Sequence, residues 1–321
     1  MINIVTFPHA IAQIQNQIDF LTDSLRDSGV IYQVSNSIST QHLNILEEGF
    51  YPFFASEIAV FCKNHKTKIA VILTEHLEHK KNSMLVNERK LGVRNTYLRD
   101  ALIRCESLFS LLPHIRFFLV LGHLPLKEKL KKIFKTIPIV EAPYLPVKAL
   151  SVIQAEADIQ KIDFCYQGSL TPHRKRVLKT IKNIPASVSA SFDNDAHQRL
   201  LTLKSARFAL QIPQYKEWRY ISPMRALYCL QNGIPMINIS DHVTHDFDLI
   251  FPRVGTKKLT EELEEYLTLS PEKCYLDTVD RYNAFVERQA KSKLPAMLKL
   301  WNDLDRSNSF PSNYFKQNQQ Q

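Results

Sequence analysis

The sequence predicts an α/β protein made of two domains, each an open parallel sheet flanked by helices. Three observations predict it. Residues 207–240 read as strand, loop, helix and strand, the building unit of such a sheet. The same alternation is present from the first residue, where an apolar run, a helical stripe and a second apolar run follow one another. The chain has 321 residues, 45% hydrophobic and 23% charged, an ordinary soluble composition long enough for two cores.

Taken in order, residues 2–7 are apolar and open the chain as a buried strand. Ile11, Ile14, Ile18, Leu21 and Leu25 make a helical stripe over residues 11–27, Gly29 ends it, and residues 30–34 form the next strand. The turn after the first strand contains no glycine, which excludes the glycine-rich dinucleotide-binding fingerprint there. A helix over residues 53–63 leads to a strand over residues 68–74. Glu75 and His76 follow it directly, at the carboxyl end of a buried parallel strand, where such sheets bind ligands. Residues 79–90 are polar and basic and are expected as a mobile loop. A helix over residues 98–112, a strand over residues 116–122 and a short lysine-rich helix over residues 126–136 come next. Leu126, Leu130, Ile133 and Phe134 share one face of that last helix, so its lysines fit a solvated face better than a membrane-surface one. Residues 137–142 are a strand. Pro143 and Pro146 then mark a boundary, giving a first domain of residues 1–150.

The second domain, residues 158–306, repeats the alternation. Residues 162–167 are a strand, Gly168 is a turn, and Thr171 with Pro172 is a cap-plus-proline helix start. A strand over residues 188–192, a helix over residues 194–205 and a strand over residues 207–212 follow. The polar, aromatic loop 213–221 ends at Ser222 and Pro223, a second cap-plus-proline start, and Gly233 stands where that helix stops. Residues 234–239 are a strand and residues 249–254 a weak one. Helices over residues 259–267 and 271–304 complete the domain, and the polar tail 307–321 is expected disordered.

In a parallel sheet both cap-plus-proline helix starts lie at the carboxyl edge of the strands, where free N–H groups and the helix dipole favour an anion. The first brings His173 and Arg174 beside Gly168 and Ser169; the second brings Ser222, Arg219 and Arg225. Guanidinium groups bind phosphate through paired hydrogen bonds, so these residues are the candidate diphosphate site. The net charge of +9 suits a polyanion, a membrane surface or a phosphorylated small molecule. The lysines are scattered and no nucleic-acid-binding module is present, so nucleic-acid binding ranks last. The five cysteines are odd in number, none forms a CxxC pair, and each lies in an apolar segment; they read as buried thiols of a reducing, cytoplasmic compartment. The first residues carry no signal-peptide pattern, and no run approaches the roughly 20 apolar residues of a membrane span, which leaves at most peripheral membrane contact. His242 and His245, with Asp241, Asp246 and Asp248 nearby, lack a metal-ligand spacing, and no metal is expected.

Residues 166–174 and 225–237 resemble the carboxyl-terminal domain of GT-B glycosyltransferases, and within these the spore-maturation-protein type. The Gly-Ser turn before a Pro/Arg helix start, and an Arg eight residues before a Gly, as in Arg225 and Gly233, carry the resemblance. It implies two Rossmann-like domains facing across a cleft, with a nucleotide-diphosphate sugar on the second as co-substrate and no other cofactor. The first domain would hold a glycan, lipid or protein acceptor and the base. Glu75, His76 and His9, at strand ends of the first domain, are the candidate bases, Glu75 first. Where an acidic residue often bonds the ribose, this chain has Tyr228, which can hydrogen-bond a hydroxyl but is no carboxylate. Tyr215, Trp218 and Tyr220 could stack on a base or sugar ring as well as pack. The implied activity is glycosyl transfer; the alternative is a catalytically silent binding protein of the same fold.

Overall fold

The computed structural model describes residues 1–6, 11–47, 51–74, 77–80, 83–86, 89–90, 96–122, 127–150, 162–191, 196–216, 218, 220–243 and 245–306. Of these, residues 11–13, 78–80, 83–86, 89–90, 96–101, 127–129, 196 and 290–306 are described by their backbone only. The chain is α/β with two parallel sheets. In the first half β1 (Ile2–Val5), α1 (Ile11–Asp27), β2 (Tyr32–Ser35), β3 (Leu43–Glu47), α2 (Pro52–Asn64) and β4 (Ile69–Leu73) lead to a small meander of β5 (Leu77–Lys80), β6 (Ser83–Val86) and β7 (Arg89–Lys90). Then come α3 (Thr96–Ser110), β8 (Ile115–Leu121), α4 (Lys127–Ile133) and β9 (Ile139–Ala142). The first sheet has the order β2-β1-β3-β4-β8-β9, with every neighbouring pair parallel. Burial explains its central strands: β4 is buried along its whole length, and β8 at all but one position, as parallel strands covered on both faces must be.

One strand goes unread in this half and one expectation fails, each for a physical reason. β3 is hidden in the sequence because the polar Asn44 interrupts its apolar run. Asn44 is fully buried, and its Oδ1 accepts from Asn3 Nδ2 at 2.8 Å and from the Ser39 N–H at 2.7 Å. Its own amide donates to the Ser39 and His42 carbonyls, so the buried polar group is satisfied and ties β1 to β3. The polar segment expected as a mobile loop instead pairs antiparallel as β5-β6-β7, with Leu77 opposite Val86 and Glu78 opposite Leu85. The short run of Met84, Leu85 and Val86 supplies the β-prone centre that the surrounding lysines mask.

The second half contains β10 (Ile162–Gln167), α5 (Pro172–Ile181), β11 (Val188–Ser191), α6 (Ala196–Lys204), β12 (Ala206–Gln211), α7 (Pro223–Gln231), β13 (Met236–Ile239), β14 (Arg253–Val254), α8 (Leu259–Thr268) and α9 (Pro271–Arg306). Its sheet runs β11-β10-β12-β13-β14, again all parallel. The weak strand expected over residues 249–254 shrinks to β14, because Asp246–Leu249 coils into a helical turn and Ile250 and Phe251 are buried in the core. The tail expected to be disordered lies outside the described residues.

One core joins the two halves. α1 packs against α7, and buried residues of β1, β4 and β8 belong to the same cluster as those of α7 and α9. α9 clamps the segment 143–150 that links the sheets. Asn283 bonds both the N–H and the carbonyl of Val147 at 2.9 Å, and the Tyr282 hydroxyl donates to the Leu145 carbonyl at 2.9 Å. Tyr144, just past β9, stacks on Phe247, which follows β13, at 5.1 Å and 10°. The segments that leave β9 and β13 therefore meet at this joint. The thiols of Cys62, Cys105, Cys165 and Cys229 are buried and Cys274 is half-buried; burial pushes Cys62 up to about 11 and Cys229 up to about 12.

Candidate functional site

In the second sheet the chain moves outward from β10 in both directions: β11 lies on one side and β12 on the other. The crevice beyond the carboxyl ends of β10 and β12 is thus the topological switch point, where open α/β sheets bind ligands. β10 delivers Gly168 and Ser169 there, β12 delivers Gln211, and the starts of α5 and α7 deliver Arg174 and Arg225.

Tyr166 is the plate on which this site is built. It is fully buried on β10, and its hydroxyl donates to the Ser169 carbonyl at 3.3 Å. Both guanidinium groups lie over its ring, Arg174 at 5.5 Å and Arg225 at 5.9 Å from the centroid. Burial raises the Tyr166 phenol, against the opposing pull of Arg225 and Arg174, so the phenol stays neutral between two cations.

The two arginines differ in how they are held. Arg174 is 7% exposed. Its Nε donates to the Ile212 carbonyl at 3.0 Å, and its Nη1 donates to the Ser169 carbonyl at 3.1 Å and to Ser169 Oγ at 3.0 Å. It is a clamp that fixes the Gly168–Ser169 turn against the end of β12. Arg225 is half-buried and donates from Nη1 to Gln211 Oε1 at 2.8 Å. Among the described residues no carboxylate pairs with it. Gly168 closes the site from below with φ +142°, where a Cβ would stand 2.8 Å from Tyr166 Oη and 2.9 Å from Arg225 Nη2. Only glycine lets the Arg225 guanidinium lie this close to the turn.

Both helices start where expected, but only the first is capped by its side chain. Thr171 Oγ1 accepts from the Arg174 N–H and donates to the Gln214 carbonyl at 2.7 Å, anchoring the loop after β12. Ser222 precedes α7, but its side chain makes no capping bond, so the first N–H groups of α7 have no partner from that hydroxyl. His173 is half-buried in the first turn of α5 and Ser169 is exposed. Tyr228 lies one turn beyond Arg225, half-buried, its phenol raised by burial, with Arg199 and Asp19 of α1 nearby. The structure thus brings Gly168, Ser169, Arg174 and Arg225 together and sets Tyr228 toward the contact with the first half. Arg219, Glu75, His76 and His9 lie outside the described residues.

An aromatic column runs through the segments that follow β12 and β13. Trp218 meets Tyr220 edge-on at 5.6 Å, Tyr220 lies over His245 at 6.4 Å, and His245 lies over Phe247 at 6.2 Å. His245 is committed to local structure: Nδ1 accepts from the Phe247 N–H at 3.1 Å, and Asp248 Oδ2 accepts from the His245 N–H at 3.2 Å. Burial lowers the His245 imidazole, against Asp248 and Asp246.

Two residues escape the sequence reading. Gln211 orients Arg225, and only its place as the last residue of β12 could have suggested this. Glu47, 8% exposed, ends β3. The first sheet also changes direction between β1 and β3, so Glu47 is a buried carboxylate at that sheet's own switch point. The signal was a carboxylate directly after the apolar run that Asn44 obscures.

No protein-family model and no curated protein matches the chain. Solved structures resemble it in fold. TarM does so with a TM-score of 0.46 and 12% identity, over 84% of this chain and 55% of TarM. AviGT4, a glycosyltransferase involved in avilamycin A biosynthesis, gives 0.46 and 12%, over 90% of this chain and 96% of AviGT4. An α-glucosyltransferase solved with UDP and a 13-mer DNA gives 0.41 and 9%, over 94% and 99%. The chain spans about 55% of the length of TarM. The likeness is one of fold alone, at 9–12% identity.

Proposed function

We propose that the chain is a nucleotide-sugar-dependent glycosyltransferase that moves a sugar, hexosyltransferase-like, from a nucleotide-diphosphate donor to a glycan, lipid or protein acceptor. The observation that supports this most is Arg225. It is a cation at the β10/β12 switch point, oriented by Gln211, seated over Tyr166 and without a carboxylate partner among the described residues. Such a group steadies the leaving diphosphate as charge develops on it, and a preorganised cation contributes most where water is excluded. Arg174 holds the Gly168–Ser169 turn whose backbone approaches the phosphates. His173, Ser222 and Arg219 keep their candidacy for the anion side, and Tyr228 its candidacy for bonding the ribose.

In the first domain, residues 1–150, the acceptor hydroxyl needs a base. Glu75, His76 and His9 keep that candidacy, and Glu47 joins them as a buried carboxylate at the matching switch point. Within this reading, the spacing of Arg225 and Gly233 is the feature that supports the spore-maturation-protein-type branch.

A thermal-shift panel of uridine, guanosine, cytidine, thymidine and adenosine nucleotides and nucleotide-sugars tests the proposal. A ligand at a hundred times its Kd stabilises the folded state by about 2.7 kcal/mol through mass action. One base class should raise the melting temperature of the wild type, Arg225→Ala should lose that shift while its own unliganded stability falls only by about the 1 kcal/mol of one lost hydrogen bond, and Arg225→Lys should keep part of the shift. Full retention of the shift in Arg225→Ala removes the assignment. A shift without turnover of any donor selects the second reading, a silent binding protein, which the substitution of Tyr228 for a carboxylate favours.

A further inference from the structure

The first sheet ends in an edge that carries none of the usual guards. β2 is its outer strand and, among the described residues, pairs with β1 alone. An edge strand presents a row of unpaired N–H and C=O groups, and chains guard such rows with charges, prolines or very short strands. The other outer strands of the two parallel sheets show these guards. β9 has the buried Glu141 between Pro138 and Pro143, β14 is two residues long with Pro252 and Arg253, and β11 is entered through Pro185. From Ser28 to Leu46, by contrast, the sequence contains no Asp, Glu, Lys, Arg or Pro. β2 falls inside this stretch. Gln33 and Val34 are exposed, as is Ile31 just before the strand, at 68%.

This edge is also preorganised. Ile2 donates its N–H to the Ile31 carbonyl at 3.0 Å and Thr6 to the Ser35 carbonyl at 2.8 Å, so Ile31, Gln33 and Ser35 turn their backbone groups toward β1. Tyr32 and Val34, between them, turn theirs outward. Side chains brace the strand against β1. Gln33 Nε2 and Ser35 Oγ both donate to Asn3 Oδ1, at 2.9 and 2.8 Å, and Asn3 Nδ2 donates to the Ser37 carbonyl at 2.9 Å. The outward groups are thus fixed before a partner arrives, which cuts the ordering cost of association. Their pattern is its own complement. When two copies of β2 run antiparallel about a two-fold axis at Gln33, Tyr32 of each exchanges both backbone hydrogen bonds with Val34 of the other. Tyr32 and Val34 lie two residues apart on one face of the sheet, so each pair also sets an aromatic ring against a β-branched side chain, a favourable cross-strand pair. No like charges meet across the axis, and the guarded state of the other edges makes the association close at two copies.

We propose that the chain forms a two-fold dimer through β2, which joins the first sheets of two copies into one continuous sheet. The interface belongs to the first half alone and is independent of sugar transfer. Sedimentation velocity of the full chain over about 1–100 μM, a range suited to a small interface, should show a monomer–dimer equilibrium. Added salt should leave that equilibrium in place, because the edge pairs no charges. Val34→Pro removes an N–H that faces away from β1, a position where an edge strand tolerates proline. It should keep the melting transition of a folded chain and weaken the dimer at least about thirtyfold. Gln33→Cys puts a thiol on the axis, opposite its own copy, with Cα atoms about 4.5 Å apart. Diamide should oxidise the two thiols to one disulfide and give a covalent dimer, while the wild type, its five cysteines buried or half-buried, runs as a monomer on a denaturing gel. A chain that is monomeric throughout the range overturns the proposal and leaves the edge to an extended peptide of another protein. So does a dimer that salt dissolves, a dimer that folded Val34→Pro retains in full, or a Gln33→Cys chain that diamide fails to link.

Discussion

Gly168→Ala tests the geometry of the proposed anion site most directly. The residue has φ +142°, a conformation that costs a side chain on the order of 1–3 kcal/mol whatever surrounds it. Its surroundings add to this. The new Cβ would lie 2.8 Å from Tyr166 Oη and 2.9 Å from Arg225 Nη2. Tyr166 is fully buried and cannot retreat, so the Arg225 guanidinium must, and its bond to Gln211 is stretched. Losing that bond costs about 1 kcal/mol more. The expected destabilisation is therefore about 2–4 kcal/mol, with nucleotide affinity falling as Arg225 is displaced.

Gly233→Ala is the control, at the other end of α7. It also has a left-handed φ, +76°, but its Cβ would meet only Leu150 Cδ1 at 3.5 Å, an ordinary contact. It should cost only the backbone term, about 1–2 kcal/mol. Urea denaturation of both variants, and of Gly168→Ala combined with Arg225→Ala, gives the answer. If the crowding is real, removing Arg225 relieves part of the Gly168→Ala cost, and the double variant is more stable than the two single losses sum to. Strict additivity, or a Gly168→Ala no weaker than Gly233→Ala, refutes the close approach of Arg225 to the turn.

Two other expectations concern single residues. Glu47→Gln should lower turnover of the donor identified in the nucleotide panel by about 10²–10⁴-fold while leaving the nucleotide-induced thermal shift in place; equal turnover in the two proteins would strike Glu47 from the bases. His245 is lowered by burial, so the folded state takes up its proton less readily than the unfolded chain: its contribution to stability is whole above about pH 6.5 and declines as the pH falls below that. Protonation of Nδ1 would also break the bond from the Phe247 N–H. His245→Asn, which keeps a capping oxygen, should flatten the melting-temperature profile between about pH 6.5 and 5, and parallel profiles for the two proteins would rule the histidine out as the source.

The parts of the fold that announce themselves do so through strong local chemistry. Thr171-Pro172 and Ser222-Pro223 set the first residues of α5 and α7, and the structure begins both helices at those prolines. The stripe of α1 and the continuous apolar run of β4 were equally plain. What stayed hidden was decided by partners distant in sequence. Asn44 looks like a strand breaker until Asn3 supplies its hydrogen bond across the sheet. The meander looks like a loop because its lysines dominate the composition, whereas its structure rests on backbone pairing. The candidate site divides in the same way. Gly168, Arg174 and Arg225 could be named from a turn and two helix starts, but Gln211 and Glu47 matter only because parallel strands bring their carboxyl ends to a crevice.

That division also separates the two arginines, which the sequence presents as equivalents at two similar helix starts. Bonds to its own chain engage Nε and Nη1 of Arg174, two of them to backbone carbonyls. A ligand that drew the group away would take this donor from the buried Ile212 carbonyl, at about 1–3 kcal/mol. Arg225 is held by one side chain, Gln211, and otherwise only by its seat over Tyr166. Turning toward an anion costs it little, and the fixed position of Arg174 on the same ring supplies a second positive charge at no further ordering cost. A rigid cation that shapes the turn and a movable one beside it suit the proposed diphosphate site. The asymmetry follows from one difference: Arg174 lies in the buried first turn of α5, packed against the end of β12, while Arg225 lies on the half-buried side of α7 that faces the crevice.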